Sequence, residues 1–283
     1  MSASEVGARS LPAGAIAVPS TAAPRARRHW ASLPAVATGA LLLVAWWVAS
    51  RAAEALPGPG ATAAELLTMA ADGRLASILS RTAAFMGACF VIAVVLGVAG
   101  GLAIGMSSAV DRGLSPYLAA LQGMPTSMWI PVAAIVLGTD VWSLGAVVAL
   151  GAVPAIVLGT RTAVRNVPPL LLRAGRTLGE GGTSLVRRVV LPAALPGIMS
   201  SVELGWSIAF RCLVAGEIFS GALSGTGIGK VIGRSRQTGD LTEMMATIVI
   251  VLAFTVTVDR LVFAPVQAHL RARRGLVDEG LSR

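Results

Sequence analysis

Residues 82–110 contain no Asp, Glu, Lys or Arg, and neither do residues 29–50, 113–139 and 141–160. Four such runs constrain the fold more than any other feature. A helix that crosses a bilayer needs roughly 20 predominantly apolar residues, and each run is long enough. A fifth candidate span, near 194–219, is interrupted by Glu203, Arg211 and Glu217. A sixth, near 244–265, carries Asp259 and Arg260 close to its end. Charged residues make up 13% of the chain, against about 25% in a soluble domain. Mean hydropathy is +0.76. The short alternating segments of a membrane barrel are absent from the pattern. The expectation is an all-α polytopic membrane protein with about six transmembrane helices.

The net charge of +9 does not indicate nucleic acid, because its carriers sit beside the apolar ends and only one Tyr and six Phe are present. Basic residues in that position set membrane orientation. With the N-terminus inside and six spans, fifteen basic residues fall on the inner side and six on the outer side, with Arg211 and Arg260 in the spans. Both termini are therefore expected in the cytoplasm of a cell whose inner (plasma) membrane holds the chain. The first apolar run follows a long polar lead and meets Arg51 at once, which fits an anchored span better than a cleaved signal. The domain reading is a disordered cytoplasmic tail (1–29), a first helix with an outer loop (30–80), a core (81–270) with a cytoplasmic loop at 161–192, and a tail (271–283).

Within the spans, Gly97, Gly101 and Gly105 recur every four residues and admit close approach of another helix, for static packing or for movement. Pro125, Pro131 and Pro154 are sites for kinks. Gln122, Thr126, Ser127 and Trp129 cluster near Pro125, as a cavity lining or as helix-to-helix hydrogen bonds. Glu203, Arg211 and Glu217 are costly at membrane depth and call for a partner or an aqueous path. Their spacings of eight and six do not suit pairing along one helix. Arg211 either pairs across helices with a carboxylate or faces the path and attracts an anion. Cys89 and Cys212 read as buried hydrophobes, and His29 and His269 as interfacial residues. Asp259 and Arg260 read as interfacial too.

The loop from Leu170 to Pro192 concentrates charge between apolar spans. Pro168 and Pro169 suit a helix start. Leu171, Ala174, Gly175 and Leu178 share one helical face, with Arg173 and Arg176 off it. Gly181 and Gly182 break the helix. Ser184 suits the cap of a second helix, with Leu185, Val186, Val189 and Val190 on its apolar side. Pro192 and Pro196 would bend the entry to the fifth span. Such a short amphipathic helix can lie on a membrane or in a groove of another protein.

The same loop resembles the motif E-A-A-x3-G-x9-I-x-L-P of binding-protein-dependent ATP-binding cassette (ABC) permeases. Here it reads Arg173-Ala174-Gly175, three residues, Gly179, nine residues, Val189, Val190, Leu191-Pro192. "AGRTLG" and "RRVVLPAALPGI" resemble the nitrate/sulfonate/taurine branch, as do "LPGPGATAAELL", "MPTSMWIPVAAIVLG" and "VAGEIF" followed by "SGTGIG". The resemblance runs over roughly residues 30–275. It implies a type I importer permease whose loop is a coupling helix seated in a cleft of a separate ATPase. Leu171, Ala174 and Leu178 would dock, and Arg176, Arg187 and Arg188 would touch the ATPase or anionic lipid. Arg173 reverses the charge of the family's leading Glu, which places any salt bridge there in question. Glu217 matches an acidic family position and Arg211 matches none, so Arg211 is the better pointer to cargo.

"SGTGIGK" (Ser224 to Lys230) fails as a nucleotide loop, because Ser224 replaces the first Gly and Val231 the hydroxyl residue that holds Mg²⁺. The resemblance makes it an outer gate loop. ATP and Mg²⁺ are thus expected on the partner ATPase and no cofactor in this chain, which shows no catalytic set. The implied partners are the ATPase, an extracytoplasmic solute-binding protein, membrane lipid and a second permease copy, as a homodimer. The implied cargo is an organic sulfonate, taurine or a nitrate-like anion. A neutral or cationic heterocycle carried by the same machine is the alternative, and a passive channel a more distant one.

Overall fold

The computed structural model describes residues 33–53, 55–138, 140–219 and 227–272. The tail expected at 1–29, nearly all of that at 271–283, and Ser224–Thr226 of the glycine-rich stretch lie outside the described residues. All regular structure among the described residues is helical. The chain divides into a first unit ending at Ala49 and a second from Ser50 to Arg283.

The first unit holds most of α1 (Leu33–Ala52). Its Leu41, Leu42, Val44, Trp47 and Val48 are exposed on every side of the helix. A helix apolar all round suits hydrocarbon and not water.

The second unit contains α2 (Pro59–Ala71), α3 (Arg74–Met106), α4 (Ser108–Gly123), α5 (Trp129–Leu137), α6 (Val141–Arg165), α7 (Pro169–Thr177) and α8 (Gly182–Leu185). It continues with α9 (Leu191–Phe219), α10 (Ile228–Thr238), α11 (Leu241–Val258) and α12 (Ala264–Ala272). Among the described residues, four helical rods are long and apolar enough to cross a membrane: Arg74–Met106, Val141–Arg165, Gly182–Phe219 and Leu241–Leu270. The protein is an all-α, multi-pass membrane protein.

α6 is the centre of this unit. It is buried on several sides, from Leu144 through Val148, Ala152, Ile156 and Thr160 to Val164. On one side it meets α3 along the glycine stripe. A Cβ on Gly97 would stand 2.6 Å from Ile156, one on Gly101 would collide with Thr160 and lie 2.7 Å from the Val157 carbonyl, and one on Gly105 would reach 3.0 Å from Val164. Ile156, Thr160 and Val164 are themselves four apart, so two i, i+4 rows interlock. On its other side α6 meets α9, where Gly159 faces Ser201 and Gly197 faces Ala163. Thr160 and Ser201 share a buried hydroxyl contact of 3.3 Å. The opposite face of α3, with Val91, Ile92, Val95 and Leu96, is more than half exposed.

One expectation is corrected here. The charge-free run 113–139 is not one helix. α4 stops at Gly123, Met124 is extended (φ −81°, ψ 139°), and a short 3₁₀ turn leads into α5. The cause is local: a residue before proline is pushed out of the helical region, and Met124 precedes Pro125. Pro192 and Pro196, where the sequence suggests a bend, lie within helix at the entry to the fifth span. A π-turn at Val186–Val190 joins α8 to α9, and both prolines lie in the helix that follows. Only Leu191 separates Pro192 from that π-turn.

Candidate functional site

α7 and the foot of α9 form the first feature of the site. Pro169 starts α7 as its first residue. Its end is closed by a Schellman motif. Gly179 has φ +86°, its N–H donates to the Arg176 carbonyl at 3.0 Å, and the Glu180 N–H donates to the Gly175 carbonyl at 3.0 Å. An L side chain at that φ is strained, so the position takes glycine. The fixed glycine of the loop is thus the stop of its helix.

The single apolar face expected for α7 divides into two. Gly175 is buried and turns inward, where a Cβ would meet Leu185 at 2.7 Å and Val189 at 2.9 Å. Leu171 and Ala174 are exposed, and Leu170 and Leu178 are 75% and 84% exposed. The glycine therefore anchors α7 to the helix returning toward the membrane, and the leucines point away from it. Ser184 is not the cap residue of α8. Gly181 is, and the Ser184 hydroxyl accepts from the Gly181 N–H at 3.2 Å. Arg173, Arg176 and Arg187 form no ion pair within the described residues, whereas Arg188 reaches Glu180 at 2.6 Å. Leu191 and Pro192 begin α9.

The second feature is a cavity of about 400 Å³ between α4, the α4–α5 break and α9. Gln122, Ser127 and Arg211 supply its polar groups, and Met124, Pro125, Ile208, Cys212 and Ala215 the rest. The break at Met124–Pro125 ends α4 just past Gln122 and lifts Ser127 out of it, which opens the space. Arg211 pairs with neither Glu203 nor Glu217. Its Nε–H donates to the Ser207 carbonyl at 3.1 Å and Nη2 to the Ser207 hydroxyl at 3.3 Å, one turn back on α9. The remaining guanidinium donors stay available to the cavity. Trp129 is half-buried at the start of α5 and does not line this space. The side chain of Thr126 lies outside the described set.

Glu217 also stands apart from the cavity. It is 2% exposed and accepts from the Gly229 N–H at 2.7 Å. Gly227 and Gly229 lie so close to it that neither has room for a side chain. Beside it, the Ile228 N–H donates to the Thr82 hydroxyl at 3.1 Å. The acid thus ties the start of α10 to α9, and Thr82 ties it to α3. Glu203 likewise finds a polar environment elsewhere, taking a hydrogen bond from Gln267, with Asp259 nearby.

Two ion clusters were not expected from the sequence. At the α3–α4 turn, Asp111 accepts two hydrogen bonds from Arg161, one from Ser115, and an ion pair from Arg165 at 2.9 Å. At the other end of α3, which is roughly 50 Å long at 1.5 Å per residue, Glu243 collects Arg74, Arg234 and Ser235. The Arg161 hydrogen bond, followed by that of Ser115, holds the Asp111 carboxyl well below the usual carboxylate range. A depressed value means stabilisation present above the unfolded value of about 3.9 and lost as pH falls through the folded one. Asp111→Asn should therefore melt below the parent protein by a constant interval from pH 8 to about 5. The interval should shrink as pH drops below about 4. Melting curves in detergent across that range check the prediction, and a gap independent of pH contradicts it.

Comparison with known proteins agrees with this architecture. A permease protein of Methanocaldococcus jannaschii is 26% identical over 171 residues, 60% of this chain and 63% of the relative. The taurine transport system permease protein TauC of Escherichia coli is 26% identical over 194 residues, 65% of this chain and 70% of that protein. The bicarbonate transport system permease protein CmpB of Synechococcus elongatus is 25% identical over 173 residues, 61% and 62% of the two chains. The alignment thus spans slightly less than two thirds of two of these relatives. Among solved structures, the inward-facing MetNI methionine ABC transporter matches with a TM-score of 0.57 at 18% identity. It covers 68% of this chain and 96% of that one, and the likeness is one of fold. Residues 93–274 match the model of the binding-protein-dependent transport system inner membrane component; this stretch holds α6, the α7 loop, the cavity and both rods that follow, and the chain belongs to that family.

Proposed function

We propose that this chain is the permease subunit of an ATP-driven importer of a small anion, an organic sulfonate, taurine or a nitrate-like ion, moved by alternating access. The observation that carries the reading is the cavity beside Arg211. Its lining combines one guanidinium, an amide and a hydroxyl with apolar side chains, and no carboxylate is among them. A cation would find no counter-charge there. An anion would gain charge-assisted hydrogen bonds from the donors of Arg211 that Ser207 does not occupy. TauC and CmpB, whose names specify taurine and bicarbonate, support the same class of cargo. The outward leucines of α7 support docking of a separate ATPase, which a passive channel would not need. In the full assembly two copies of the permease would pair in the inner membrane with both termini in the cytoplasm. A binding protein would deliver solute from outside.

The test is uptake by cells that express the permease with its ATPase and binding protein. Taurine, bicarbonate, nitrate and uracil are supplied in parallel. Arg211→Gln should weaken uptake of the transported anion about tenfold or more, the value of one charge-assisted hydrogen bond. Arg211→Lys should retain part of it. Unchanged anion uptake in Arg211→Gln, or uptake of uracil alone, overturns the reading.

A further inference from the structure

The foot of α9 carries a second polar concavity, of about 530 Å³, lined by Thr183, Ser184, Arg187 and Arg188. Thr183 and Arg187 are four residues apart, as are Ser184 and Arg188, so the four groups form one stripe on a helix. Leu185 and Val189 hold Gly175 of α7, and Arg187, between them in the π-turn, is exposed. The concavity borders the end of α7, because Glu180, which closes that helix, reaches Arg188. Arg188 is steered by Glu180 at 2.6 Å. Arg187 has no carboxylate partner among the described residues.

Depth is the second observation. The rod Gly182–Phe219 has 38 residues, a length of roughly 57 Å against a hydrocarbon core of about 30 Å. Part of it must emerge into the interface. Residues 189–202 carry no charged side chain, and Arg187 and Arg188 stand directly before them. That places both guanidiniums at the level where lipid phosphates lie. Two arginines less one glutamate leave a single positive charge, which matches one phosphodiester.

We propose that Thr183, Ser184, Arg187 and Arg188 form a binding site for the phosphodiester headgroup of an anionic phospholipid at the membrane boundary. The arginines contribute N–H donors and the Thr183 hydroxyl adds one more, while the Ser184 hydroxyl, which donates to the Gly181 carbonyl at 2.9 Å, borders the site. The site does not depend on which solute is carried, although assigning it to the cytoplasmic leaflet rests on the orientation proposed above. Bound lipid would brace the helix against which α7 is packed.

Native mass spectrometry of the full-length chain, incubated with equal phosphatidylglycerol and phosphatidylcholine, tests it without any transport assay. Phosphatidylglycerol should be retained selectively, and Arg187→Gln should weaken that retention about tenfold. Arg187 is exposed and forms no ion pair among the described residues, so this variant should fold as the parent does. Arg173→Gln, on α7, should leave retention unchanged. Equal retention of the two lipids, or no effect of Arg187→Gln, overturns the proposal. So does competition in which inorganic phosphate alone stabilises the protein through Arg187 while phosphatidylglycerol does not. Loss of ATPase association in Arg187→Gln with lipid retention intact also overturns it, because the stripe would then be a docking surface.

Discussion

Leu178→Asp should abolish solute uptake while leaving the permease folded and inserted. Leu178 is 84% exposed at the end of α7, and Leu170 is 75% exposed. Exposed leucines on a membrane helix are ordinary, but α7 is a short polar-flanked helix outside the four apolar rods. Its end is fixed by the left-handed Gly179 and its inner side by Gly175 against Leu185 and Val189. The leucines are thus presented on a rigid support. Burial of one leucine in a partner's groove stabilises by about 1.5–3 kcal/mol. An aspartate in the same groove loses that and adds the cost of desolvating a charge. The sum exceeds about 3 kcal/mol, more than a hundredfold in association. Because Leu178 is exposed among the described residues, abundance in the membrane should stay at the parental level. Leu178→Met should retain uptake. Parental uptake by Leu178→Asp, with the variant present at parental abundance, would sink the docking role. Arg173, exposed on the same helix and opposite in charge to the family's leading Glu, gives a companion measurement. If Arg173→Glu leaves uptake unchanged, the ATPase makes no ionic contact there.

The features legible in the sequence are those that repeat at short range. The apolar rods follow from runs without charge. The α3–α6 seam follows from Gly97, Gly101 and Gly105, because a four-residue stripe of small side chains specifies close approach. The sequence does not name the partner: Ile156, Thr160 and Val164 lie on another helix. The break at Pro125 was available as a signal. A charge-free run concealed it, since hydropathy does not register the steric exclusion of Met124 from helical geometry. Arg211 shows the same limit differently. Its spacing to the glutamates ruled out pairing along α9, but the hydroxyl of Ser207, one turn back, was the partner that mattered.

What stayed hidden depends on residues distant in the chain. Arg161 meets Asp111 across 50 positions, and Arg74 meets Glu243 across 169. No periodicity connects such pairs. Glu217 lay between the two cases. Glycines at 227 and 229 are a sign that something large approaches the backbone, and that something is the Glu217 carboxyl. Read alone, a charge in a span suggests a path. Read with those glycines, it suggests a latch.

Glu243→Gln should lower the stability of the end of the protein remote from α7. Glu243 is 6% exposed. Its carboxylate accepts from Arg74 at 3.2 Å, Arg234 at 2.6 Å and Ser235 at 2.6 Å. Arg74 also reaches Glu65 at 3.3 Å and Asp72 at 3.6 Å. One side chain therefore joins α3, α10 and α11, and through Arg74 it also reaches α2. Glutamine keeps the shape but offers one acceptor oxygen, and it turns an NH₂ group toward guanidiniums that need acceptors. Hydrogen bonds to charged groups contribute about 1.5–3 kcal/mol each. Arg74 and Arg234 are 41% and 59% exposed, so water recovers part of that loss. About 2 kcal/mol remains, a drop of about 5 °C in melting temperature for a domain of this size. A double-mutant cycle with Arg234→Gln separates this pairing from simple misfolding. The two losses should be clearly less than additive, because each removes the same contact. Full additivity, or an unchanged melting point in Glu243→Gln, contradicts the account. The consequence for transport follows from α10. Glu217 and Thr82 hold its first turn through Gly229 and Ile228, and Glu243 holds its last turns through Arg234 and Ser235. Freeing one end leaves the other anchored, so Glu243→Gln should lower stability more than it lowers uptake, while Leu178→Asp does the reverse.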